Sequence, residues 1–204
     1  MFFSKKQLAV IGAVVAIILA VFVGASFSSP DADLMEQVGN RAIEECQKRG
    51  ISLSVGRKHT SGFIVKTFIF DDVAAEFDPF RLTFSSIGAT PSLTAITNNV
   101  IDGKLSAHHA TLEIPFLGAI DFGDGSAHVH IDKENNAFVR DFKFNGLCDV
   151  EGYFTITKDS NFTDYRLVFT PKKEIQALFA ALETFGAPFK KTNDGRWILE
   201  SEPK

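Results

Sequence analysis

The sequence predicts a mainly β protein: an N-terminal transmembrane helix, a short amphipathic helix, then a long antiparallel curved sheet with one C-terminal helix packed on it. Three observations carry that reading. Residues Leu8 to Phe27 form a run of twenty without a single charge. After Gly50 the apolar residues recur with period two over most of the chain, and between Thr170 and Pro188 the period lengthens to that of a helix.

A helix of twenty residues spans about 30 Å, the thickness of a bilayer's hydrocarbon core. Lys5 and Lys6 precede the run and Asp31 and Asp33 follow it. The positive-inside bias therefore holds the N-terminus in the cytoplasm and sends the rest across. A secretory signal peptide is the rival reading, because Val23-Gly24-Ala25 approximates a small-x-small cleavage site after a short basic start. The run is longer than the apolar core of about 7–15 residues that a signal carries, which favours a retained anchor. Both readings export the chain. The expected layout is an anchor over 1–29, an amphipathic helix over 30–50 and a periplasmic antiparallel β domain over 51–204. In a diderm host that makes a single-pass inner-membrane protein with the bulk of the chain in the periplasm.

In the second segment Leu34, Val38, Ala42 and Cys46 recur every four residues, and Gly50 follows Lys48-Arg49 as a helix stop. Strand patterns come next. Ile51, Leu53 and Val55 alternate with small polar residues, Phe68 and Phe70 flank Ile69, and Leu82 and Phe84 alternate with Arg81, Thr83 and Ser85. Phe138, Phe142 and Phe144 share one parity, as do Val150, Phe154 and Ile156, and then Tyr165, Leu167 and Phe169. One apolar and one polar face per strand is the pattern of an antiparallel sheet wet on one side. Turn-like breaks fall at Asp78-Pro79, Ile101-Asp102-Gly103, Asp124-Gly125, Glu134-Asn135-Asn136, Asn145-Gly146 and Lys158 to Asn161. The C-terminal helix has Thr170 as a cap, Pro171 at its first position, a stripe of Ile175, Leu178, Phe179 and Leu182, and Gly186 and Pro188 as its end. Asn193-Asp194-Gly195 then turns the chain into a last strand over Arg196 to Glu200.

The charge balance is −4 with Lys and Arg dispersed, so no basic stripe tracks a phosphate backbone and nucleic acid is not an expected partner. The chain has 21 phenylalanines against two tyrosines and one tryptophan, a large apolar area without polar handles that belongs in a core or an apolar groove. The two cysteines, Cys46 and Cys148, could form a disulfide after export or remain small buried hydrophobes. Histidines concentrate at His108, His109, His128 and His130. His128 and His130 share a strand face, and with His109 from a neighbouring strand they would make a three-imidazole site for Zn²⁺ or Cu²⁺. The competing reading, the polar face of a half-wet sheet, is favoured. The run DFGDGS from Asp121 lacks the ligand series of a calcium loop and reads as a turn. No nucleophile elbow, phosphate loop or dinucleotide fingerprint is present. The chain is therefore expected not to be an enzyme and to need no cofactor.

From Gly146 the chain runs GLCDVEGYFTITKDSNFTDYRLVFTPKKEIQALFAALETFGAPFKKTNDGRWILE, with IDGKLSAHHATLEI upstream. A strand ending in Tyr-x-Leu-x-Phe-Thr-Pro, an apolar helix and a Gly-x-aromatic strand resemble the end of the type II secretion system protein N family (GspN-like), itself similar to AsmA-like periplasmic β-rich proteins. The resemblance covers residues 100 to 200 and implies a single inner-membrane helix, a β-rich periplasmic domain and no catalytic residue. It implies as partners the inner membrane and other secretion or envelope-assembly subunits. The AsmA-like side of it implies a phospholipid or glycolipid. The candidate lipid or partner face is Phe138, Phe142, Phe144, Phe154, Ile156 and Leu167. If the helix over Ile175–Leu182 covers these residues they are core. If they line an open trough, a lipid reading gains.

Overall fold

The computed structural model describes residues 40, 43–44, 46–47, 50–62, 65–92, 101–114, 118–134, 136–158, 162–184 and 189–201. The expected anchor and most of the 30–50 helix lie outside these residues. Among the described residues no helix is long and apolar enough to cross a membrane. The last turn before Gly50 is helical at Cys46 and Gln47. There the Gly50 N–H donates to the Gln47 carbonyl at 2.9 Å and the Ile51 N–H to the Cys46 carbonyl at 2.9 Å. With Gly50 at φ 73 this is a Schellman stop, and the buried Ile51 and Cys46 supply its apolar contact.

Eleven strands follow among the described residues: β1 (Ser52–Ser54), β2 (Lys58–Ser61), β3 (Thr67–Phe77), β4 (Phe80–Pro91), β5 (Ile101–Ile114), β6 (Gly118–Ile131), β7 (Ala137–Asn145), β8 (Cys148–Ile156), β9 (Phe162–Pro171), β10 (Lys190–Lys191) and β11 (Trp197–Glu200). They form one antiparallel sheet in the order β1-β3-β4-β5-β6-β7-β8-β9-β11-β10, with β2 also on β3. From β3 to β9 every strand pairs with its neighbours in the chain, the arrangement that short polar turns favour.

Two expected turns are strand interior instead. Ile101-Asp102-Gly103 opens β5, with Gly103 opposite Pro91 and Val129. Asp124-Gly125 lies within β6, with Gly125 opposite Ala107 and Phe144. Glycine is needed there because a Cβ on Gly125 would stand 2.5 Å from the Phe144 ring. The Asp78-Pro79 turn joins β3 to β4, and Phe77 and Phe80 pair across it with ring centroids 5.7 Å apart.

The long strands keep one face buried by switching parity halfway. In β3 the buried residues are Phe68 and Phe70, then Val73, Ala75 and Phe77. In β4 they are Phe80, Leu82 and Phe84, then Ile87 and Ala89, and in β5 Leu105 and Ala107, then Ala110, Leu112 and Ile114. In β7, Ala137 and Val139 are followed by Phe144. Without an extra residue at each switch, half of every strand would turn its apolar side to water. In β3, β5 and β7 the extra residue is left-handed, Asp72 at φ 52, His109 at φ 49 and Asp141 at φ 50, with Asp164 of β9 at φ 47, whereas β4 makes its switch without a positive φ. Asp and His tolerate this region better than β-branched residues do. Bulges bend a strand and raise its twist, which gives the long strands their curvature.

The C-terminal helix α1 spans Gln176–Thr184 after a 3₁₀ turn at Lys173–Ile175. Its start differs from expectation. Thr170 and Pro171 remain in β9, paired with Asp149 and Cys148, and Lys172 stands at the cap without a side-chain bond. The β8–β9 ladder takes up both residues before the helix begins. Phe179 is buried and meets Phe169, Phe189 and Trp197 at 5.9, 5.9 and 6.0 Å between ring centroids. Leu182 lies outside the described side chains.

Candidate functional site

On the buried face the aromatic group is built from β7 and β8. The Phe142 ring packs edge-on to Phe154 at 5.5 Å and tilted to Phe144 at 5.2 Å. Phe154 is 2% exposed and Phe144 9%, Ile156 is buried, and Phe142 and Leu167 are half-buried against the same core. Phe138 does not belong with them. The bulge at Arg140-Asp141 puts it on the opposite face, where its ring lies 6.2 Å from His130. The equal parity of 138, 142 and 144 is misleading because Asp141 lies between them. Among the described residues the ring contacts of α1 are with Phe169, Phe189 and Trp197 rather than with this group.

Phe142 and Phe144 also line a cavity of about 20 Å³ with Phe84, Ile87, Ala107 and Ala127. That is room for about one water molecule. An acyl chain does not fit this cavity without strand movement.

The histidines lie on the polar face and are held by carboxylates. His128 Nε2 lies 2.8 Å and His130 Nδ1 3.6 Å from Asp102 Oδ1. His108 Nδ1 lies 3.2 Å from Asp124 Oδ2, and the His109 backbone N–H donates to Asp124 Oδ1 at 3.0 Å. Burial pushes the Asp102 carboxyl up, but hydrogen bonds from His128 and Ser92 and the nearby histidine charge outweigh it, and the net shift is downward. Asp124 is lowered first by the His109 N–H and then by the His108 side chain. The expected trio of His109, His128 and His130 is not brought together. Lys104 and Asp102 oppose His128 and His130 across the β5–β6 ladder, and His109 lies five residues beyond Lys104, about 17 Å along the strand. Among the described residues no three His, Cys, Asp or Glu groups are placed to hold a metal. Asp102, the residue that organises two of the histidines, has no sequence signal, since it stands 26 positions from His128.

The DFGDGS run is explained by backbone packing. Asp121 Oδ1 accepts from the Gly123 N–H at 2.7 Å, and the Asp121 carbonyl accepts from the Leu147 N–H at 2.7 Å. A Cβ on Gly123 would stand 2.1 Å from the Asn145 carbonyl oxygen. Cys46 and Cys148 are both 0% exposed, and no disulfide joins them. The Cys148 thiol donates to the Asp149 carbonyl at 3.7 Å. Burial first, and then the Asp149 charge, push its pKa up to about 12.

The family model that matches the chain is described as Type II secretion system protein GspN-like, Synergistales, and the match runs over residues 5–201. No curated protein and no solved structure matches the chain.

Proposed function

Since this chain belongs to the GspN-like type II secretion family, we propose that it is a non-catalytic, membrane-anchored periplasmic component of a type II secretion or related envelope-spanning assembly. The family match over residues 5–201 carries this reading. Residues 1–29 would hold the chain in the inner membrane, and the β domain would dock neighbouring subunits. Two features support docking. The apolar face is consumed by the protein's own core, which leaves the polar face and the sheet edges for partners. The edges differ: β10 presents Lys190 and Lys191, a charged edge of the kind that resists strand addition, whereas β1 and β2 lie on the outer side of β3.

The test is gentle affinity isolation from membranes with mass spectrometry of proteins and lipids in one eluate. Stoichiometric secretion subunits with background lipid are the expected result. A lone chain would overturn the reading.

A lipid-holding role, the AsmA-like alternative, has the half-buried Phe142 beside the small apolar cavity in its favour, and requires the strands to part before an acyl chain can enter. Phe142→Asp separates the two readings. Under the lipid reading it abolishes lipid co-purification from a folded domain, and under the assembly reading partner recovery is unchanged. Phe154→Asp is not a useful partner to it, because a charge at so buried a site disrupts the fold.

A further inference from the structure

The register of the sheet sets one row of side chains across the polar face: Lys104 of β5, His128 of β6, Arg140 of β7, Tyr153 of β8 and Arg166 of β9. Lys104 pairs with His128, His128 with Arg140, and Tyr153 with Arg166. Arg140 and Asp141 together oppose Tyr153 at the β7–β8 bulge. All five row members are exposed. Tyr153, at 42%, is the exposed large hydrophobic residue among those described.

The described arginines divide on this row. Arg57, Arg81 and Arg196 each have a carboxylate partner, respectively Asp71, Glu76 and Asp194. Among the described residues Arg140 and Arg166, which flank Tyr153, have none. Arg140 of β7 and Arg166 of β9 stand two strands apart with Tyr153 of β8 between them, so each can take up a carboxylate from another molecule. A guanidinium is the group whose fork fits a carboxylate in two-point fashion. Arginine and tyrosine are also the side chains that dominate binding energy at protein interfaces.

We propose that the Arg140–Tyr153–Arg166 row is the docking surface for an acidic segment of a partner protein. The segment would present two carboxylates about 10 Å apart, the span of two strand spacings, with an apolar side chain between them against Tyr153. This rests on the reading that the chain assembles with other subunits and names the surface that does so. Charge complementarity favours a discrete segment over an anionic membrane. Asp102, Asp141 and Glu151 border the row, so a uniformly negative surface would meet nearly as much repulsion as attraction, while a segment with localised carboxylates can follow the cations.

The test uses the full chain in membranes with a photo-reactive benzophenone side chain at Tyr153, and at Ser54 on the β1 edge and Glu113 on the polar face as controls. The expected result is a cross-link from position 153 that maps to a stretch of a co-isolated subunit bearing at least two carboxylates. R140E with R166E lowers its yield about tenfold or more, and lysines at the mapped carboxylates restore it. R140K with R166K, which preserves charge and fold, lowers the yield less. A cross-link only to lipid, one that maps to a stretch without carboxylates, or a yield unchanged by charge reversal overturns the proposal. Protein cross-links from Ser54 with none from Tyr153 overturn it while leaving the assembly reading intact. No protein cross-link from any position overturns both.

Discussion

Asp141 shows how one residue can set the direction of a strand. It sits at φ 50 in the middle of β7 and separates Phe138 on one face from Phe142 and Phe144 on the other. Asp141→Gly should keep or slightly raise stability, because glycine enters the left-handed region freely. Asp141→Val should cost about 1–2 kcal/mol, read as a lower urea midpoint. Cys148 offers a second prediction. With its thiol at 0% exposure and its pKa pushed up to about 12, it should resist thiol reagents at neutral pH until the domain unfolds. Labelling in native buffer would contradict the buried placement. Asp102 gives a pH dependence. Its pKa is lower folded than unfolded, so its contribution is fully present above the ordinary carboxylate value and is lost as pH falls through the folded value. Asp102→Asn should therefore lose stability at neutral pH and show a flatter acid limb in denaturant midpoints from pH 7 to 3. The histidine spacing made His128 and His130 legible as neighbours. Their carboxylate partner was not legible, because only long-range pairing brings Asp102 to them.

At the scale of elements, period-two patterns located β3, β4, β7, β8 and β9, and the Gly50 stop is the one the sequence marks. The parity switches were hard to read as such. A break in alternation within one long bent strand looks like the end of a short strand, so Asp124-Gly125 passed for a turn. The helix start was missed for a related reason. Thr170 and Pro171 carry good capping chemistry, yet the β8–β9 ladder claims them first. The helix itself is pinned by Phe179. Phe179→Ala should cost about 3–5 kcal/mol and shift the emission of Trp197, the sole tryptophan, in thermal melts. An unchanged melting temperature would mean that α1 does not close this end of the core.

The whole molecule is close to one-dimensional. From β3 to β9 each strand pairs with its neighbours in sequence, and the N-terminal and C-terminal strands lie toward opposite edges. The fold class was therefore open to sequence reasoning, which needs only local pairing. The row that crosses five strands was not, because it is a property of register. The strand order also has a mechanical meaning. Tension between residues 51 and 201 would enter at opposite edges and peel the ladders, so that hydrogen bonds fail one after another instead of sharing the force. A sheet wired this way is a weak tether and a good yielding element: pulled from both ends, it pays out chain hairpin by hairpin.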